Sequence, residues 1–124
     1  MTADLTQEQM ARYKRTAWLR EKTRKRVADD RRQAAVPIAE RAAAILKEQF
    51  GAQRVILFGS LAHGHWFGPK SDIDLAAEGI QASDFWRAWC ALDEIDSDFE
   101  INLIAIESAS ASLQEALAHE GVEL

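Results

Sequence analysis

The stretch VILFGSLAHGHWFGPKSDIDLAAEG, Val55 to Gly79, decides how this chain is read. It opens on a short apolar, β-branched run, Arg54 to Phe58, which predicts a buried strand. Gly59-Ser60 closes that run. After eleven further residues, Asp72 to Ala77 alternates polar and apolar, which predicts a second strand. Ile73 and Leu75 then face one way, and Asp72 and Asp74 the other.

The chemistry of this pattern starts with the carboxylates. Residues i and i+2 of a strand project from one face, with Cα atoms roughly 6.5 Å apart. Two carboxylates so placed repel each other, and partial burial adds a desolvation penalty. A divalent cation removes both difficulties. Mg²⁺ takes oxygen ligands and typically uses one or two carboxylates together with substrate phosphates. Gly59 at a strand end permits a positive φ and a close backbone approach. If Ser60 opens a short helix, the free N–H groups of its first turn point at a phosphate, and the Ser60 hydroxyl adds a donor. Gly64 and Gly68 let the intervening loop fold back over a ligand. The segment GHWFGPKS does not match a P-loop, because Pro69 splits the Gly-Lys step and removes a backbone donor. His63-Gly64-His65 lacks the further ligands that zinc requires.

Upstream, Thr6 to Gln33 has neither Gly nor Pro and is rich in strong helix formers, so one long helix is expected there. Its apolar positions (Met10, Tyr13, Ala17, Trp18, Val27) are sparse, as on a helix that is half exposed or docked on a partner. Pro37 is read as the start of a second helix, with Ile38, Ala42, Ile45, Leu46 and Phe50 at helical spacing and Gly51 as its stop. Downstream, Ala82 to Ile95 reads as an amphipathic helix and Phe99 to Ile106 as a strand. On that strand Ile101, Leu103 and Ala105 share one face, and Glu100, Asn102, Ile104 and Ile106 the other. Ser110 to His119 reads as a closing helix that ends at Gly121. This order predicts an α/β (α+β) domain with a small mixed sheet flanked by helices. The organisation expected is a basic helical extension over 1–33 and a domain over 34–124.

Composition fits that scheme. A chain of 124 residues with 48% apolar content builds one core without staples. No stretch approaches the ~20 apolar residues that span a bilayer, and the polar N-terminus is unlike a secretory signal. Cys90 is the single cysteine, which suits a reducing, cytoplasmic setting. The net charge of −5 is unevenly spread. Residues 1–33 carry ten Lys or Arg and five Asp or Glu, against five and fifteen in 34–124. The acidic body disfavours non-specific nucleic-acid binding. The basic extension reads as a solvated helix with interleaved charges, or as a surface that meets nucleic acid or an acidic protein, with a homo- or hetero-oligomer through this helix as the partner expectation.

LFGSLAHG followed by GPKSDIDLA resembles the signature of minimal nucleotidyltransferases of the DNA-polymerase-beta superfamily, in which Gly-Ser precedes Asp-x-Asp by about ten residues. The likeness extends over roughly residues 36–124. It implies a nucleotidyltransferase fold, a two-metal Mg²⁺ site and ATP as the donor. It also implies a role found in many small members: an antitoxin paired with a HEPN-domain toxin, which some inactivate by adding AMP to a tyrosine. On this resemblance Asp72 and Asp74 hold the metals. Gly59, Ser60, His63, Gly64 and Ser71 line the nucleotide, with His63 standing where the family often has Arg. The family's third carboxylate falls at Asn102, whose amide can ligate a metal but carries no charge and accepts no proton. Glu100, two residues earlier on the same face, is the candidate substitute among the catalytic residues. The expected function is therefore transfer of AMP from Mg-ATP to a hydroxyl on a partner protein. The alternative is an impaired member that neutralises its partner by binding.

Overall fold

A computed structural model describes residues 6–63, 72–95 and 98–124. The first element, α1, is a single helix over Gln7–Phe50. Thr6 caps it: its hydroxyl accepts from the Gln9 N–H while the Gln9 side chain accepts from the Thr6 N–H, so two otherwise orphaned donors are satisfied. Gly51 ends it at φ 73°, a left-handed conformation.

The expected break at Pro37 does not occur, because the helix runs through it. An interior proline forfeits a hydrogen bond and costs about 3 kcal/mol. Packing on either side holds the axis regardless. Ala35, Ala39, Ala42 and Leu46 are completely buried along one face, while Pro37 is exposed on another. Small side chains on that face let the backbone approach the rest of the domain closely.

Beyond α1 come β1 (Arg54–Phe58), α2 (Ser60–His63), β2 (Ile73–Glu78), α3 (Ala82–Asp93), β3 (Ile101–Ala105), a 3₁₀ turn (Ile106–Ser108), α4 (Ala111–Glu120) and β4 (Val122–Glu123). The sheet order is β3-β2-β1-β4. β1 runs antiparallel to β2 and β4, and β2 runs parallel to β3. A parallel pair needs a crossover, and α3 supplies it. β4 was not foreseen; two residues are too few to show a period. It is fixed by pairing Val122 with Leu57, and the Leu124 N–H donates to the Val55 carbonyl at 2.9 Å.

The sheet has two unlike faces. Val55, Leu57, Ile73, Leu75, Ile101 and Leu103 point into the main core against Leu46, Ala88 and Leu92. On the opposite face the register makes two rows across three strands. Ile56, Ala76 and Ile104 form one, and Phe58, Asp74 and Asn102 the other. Helix α4 covers the apolar row through Leu113 and Leu117. The polar part of the second row, Asp74 and Asn102 with Asp72 two residues ahead of Asp74, lies beside it, at the end of the sheet where β1 gives way to Gly59.

The N-terminal half of α1 leaves the body. Residues 6–27 are all exposed, and Ala28 is the first to be buried. Tyr13 is 69% and Trp18 59% exposed. Arg31 sits over the Phe99 ring at 4.7 Å, close to where helix and body part. Deleting residues 1–26 should therefore shift the thermal midpoint by no more than about 3 °C, since every described residue removed is exposed. A body that unfolds on this truncation would make the arm part of the core.

Candidate functional site

Each part of the polar row is placed by ordinary chain geometry. Gly59 adopts φ 76°, which turns the chain off β1. A Cβ there would collide with the Asp74 carboxylate, so Asp74 Oδ2 lies directly against the glycine backbone. α2 starts at Ser60, and Leu61, 1% exposed, anchors it in the core. Ser60 is half-buried beside the turn. His63 is the last residue of α2. Gly64 and Ser71, expected to line the nucleotide, lie outside the described residues, as do His65, Trp66 and Phe67.

Asp72 immediately precedes β2, and Asp74 is its second residue; both are half-buried. Between them Ile73 points the other way and is completely buried, which fixes the strand's facing. Asn102 lies across from Asp74 on β3. Its Nδ2 donates to Asp72 Oδ2 and to Asp74 Oδ1, each at 3.2 Å. Ionised carboxylates only accept hydrogen bonds, so the group between them must be the NH₂ end of the amide. Three side chains thus converge on one point.

Glu100 is near but does not join them. Its carbonyl accepts from the Ile73 N–H at 2.9 Å, which sets its backbone beside the start of β2. Its side chain is exposed. Among the described residues, no three carboxylate, imidazole or thiolate groups gather at metal-ligand spacing. The donor set is therefore two carboxylates and one neutral amide. An apolar groove of about 720 Å³, lined by Ile80, Phe85, Leu103, Ile104 and Leu113 among others, follows β3 away from this set and includes none of its members.

Burial raises the Asp74 pKa above its ordinary value. The Asn102 hydrogen bond opposes that rise and the Asp72 charge adds to it. A raised pKa means that the folded state holds this proton more tightly than the unfolded chain does. The stabilisation is complete below the unfolded value of 3.8 and is lost as pH rises through the folded pKa. At neutral pH the ionised Asp74 accordingly weakens the metal-free fold. Asp74→Asn should raise the thermal midpoint in EDTA by a few degrees at pH 7, because a polar isostere removes the charge and keeps an acceptor for Asn102. The gain over wild type should shrink as pH falls toward 4. An unchanged gain across that range would show that the charge is not its source.

A profile described as "Polymerase beta, Nucleotidyltransferase" matches residues 40–124. No curated protein sequence matches the chain. Two crystal structures of variants of a toxin–antitoxin pair, MntA-HpeT, are similar in fold, each with a TM-score of 0.56. Identity is 21% in one and 25% in the other, over 68% of this chain and 70% and 69% of the matched chains. The profile begins at Glu40, within α1, so the exposed arm lies outside it.

Proposed function

Because the chain belongs to the polymerase-beta-type nucleotidyltransferases, we propose that it is an antitoxin of that fold, which holds Mg-ATP and neutralises a toxin chiefly by contact. The observation that carries this reading is the Asn102 amide, neutral and hydrogen-bonded to both aspartates. Asp72 and Asp74 suit one Mg²⁺ that completes its shell with triphosphate oxygens. A second ion would call for another negative ligand, and the polar row supplies none. Bound there, Mg²⁺ would offset the charge of the triphosphate. The Gly59-Ser60 turn then provides backbone approach and a hydroxyl on the phosphate side, with His63, Gly64 and Ser71 as further candidates on the same segment. The partner proposed is a HEPN-domain toxin. Support comes from the similar solved structures, which are of a toxin–antitoxin pair. The exposed basic arm suits such a contact.

A second reading is transfer of AMP to a hydroxyl of that toxin. It is favoured by the place of Glu100, whose backbone bonds to Ile73 between the two aspartates. The Glu100 side chain, one methylene longer than that of Asn102, would then have to reach back along the sheet.

Titration of the toxin separates these readings. Contact predicts suppression that saturates at a fixed ratio of chains, with no mass added to the toxin. Transfer predicts suppression by sub-stoichiometric amounts, with an AMP adduct. Both require nucleotide binding. ATP at about a hundred-fold excess over Kd should stabilise the protein by ~2.7 kcal/mol with Mg²⁺ present, and far less in EDTA, where the carboxylates repel bare triphosphate. Equal stabilisation in EDTA would sink the metal-bridged site.

A further inference from the structure

We propose that the Asn102 amide is an internal stand-in for the cation, seated where the metal belongs and displaced only when metal arrives together with triphosphate. This rests on the nucleotide–metal reading of the polar row and goes beyond it, because it makes Asn102 a competitor of the metal and not one of its ligands.

The geometry supplies the argument. Asp72 and Asp74 are half-buried and of like charge, so each destabilises the other when nothing stands between them. A single donor group with two hydrogens lies between them, 3.2 Å from one oxygen of each. One oxygen of each aspartate is thus already engaged by the amide in the metal-free protein. The row is also closed at the glycine side, where Asp74 Oδ2 rests against Gly59. A bare cation entering this row must break both amide hydrogen bonds, and those bonds are charge-assisted and stronger than neutral ones. It must also shed water, which Mg²⁺ does reluctantly. A cation already carrying triphosphate brings further ligands and a second set of contacts at the Gly59-Ser60 turn. Metal binding is thereby made conditional on nucleotide.

The proposal predicts an effect opposite to that of an ordinary ligand. Removing the Asn102 amide should strengthen binding of metal alone, because the two carboxylates lose the donor they share and gain most from a cation. Asn102→Val removes the amide and places a β-branched residue suited to the strand. Mn²⁺ binding would be followed by electron paramagnetic resonance, with and without ATP. Wild type should bind Mn²⁺ weakly alone and much more tightly with ATP. Asn102→Val should bind Mn²⁺ alone about tenfold tighter than wild type, the factor expected from net loss of one charged hydrogen bond. Its gain from ATP should be smaller. Weaker binding by Asn102→Val would make Asn102 a ligand and overturn the proposal, leaving the proposed function intact. If neither protein binds Mn²⁺ even with ATP, both fall together. The wild-type protein gives a second readout that needs no variant. The Asn102 side-chain amide protons should move in the NMR spectrum on adding Mg-ATP, and stay in place with Mg²⁺ alone. Movement with Mg²⁺ alone would overturn conditional binding.

Discussion

Asn102→Asp should raise nucleotidyl transfer to the partner by roughly 10²–10⁴-fold, the span that general-base assistance typically contributes. Position 102 lies opposite Asp74 in the β2–β3 register, and its side chain already reaches both aspartates. An aspartate there would add a negative ligand and a proton acceptor without moving the backbone. The same change should weaken the metal-free protein. It removes the donor shared by Asp72 and Asp74 and adds a third like charge, a loss of about 1–3 kcal/mol. Mg-ATP should restore most of that, so the thermal midpoint of the variant should depend on metal far more than that of wild type. Glu100→Gln supplies the control. If Glu100 already completes the site, this change destroys whatever transfer exists, and Asn102→Asp adds little. Rapid adduct formation by wild type together with tolerance of Glu100→Gln would mean that two aspartates suffice, and the reading of position 102 would fail.

Gly59→Ala should abolish most of the stabilisation by Mg-ATP, and a companion variant shows why. Gly51 and Gly59 have nearly the same positive φ, 73° and 76°. An alanine at either pays the left-handed penalty of roughly 1–2 kcal/mol. A Cβ at Gly51 meets nothing within 4 Å, whereas one at Gly59 meets the Asp74 carboxylate. Gly51→Ala should therefore lower the thermal midpoint and leave the Mg-ATP shift at its full size. Gly59→Ala should lower the midpoint further and also rotate Asp74 out of the row, so that the ~2.7 kcal/mol expected at a hundred-fold excess of ATP largely disappears. Equal Mg-ATP shifts in the two variants would dissociate Gly59 from the site.

Much of this arrangement was legible in the order of residues. The alternation around Ile73 set Asp72 and Asp74 on the face away from the core, and the alternation of β3 set Asn102 on the same side as Ile104. Both facings hold, because a strand has only two and a buried isoleucine chooses between them. The Gly59-Ser60 turn was legible for a similar reason, since a short apolar run must end somewhere and glycine permits the exit. Other features were beyond local pattern. Pro37 reads as a helix start on its own chemistry, and the burial of Ala35 and Ala39 in the main core overrides it. β4 is defined by its partner β1 and by nothing in Val122 and Glu123 themselves. The double hydrogen bond of Asn102 depends on residues 28 and 30 positions away. A sequence shows that an amide stands there; it does not show which end of the amide faces the carboxylates.

Helix formation carries a costly nucleus, and most helical stability in proteins comes from packing. α1 is thus graded along its own length. At Leu46, fully buried, a backbone amide can exchange with solvent only when much of the domain opens. At Tyr13, exposed along the arm, local opening should take far less free energy. A partner that settles on this arm would have to hold it in helical form, and that ordering entropy comes out of the affinity. Contact through the arm alone would therefore be quickly reversible. Lasting neutralisation would need the rigid half of the same helix, or the sheet behind it, to share the interface.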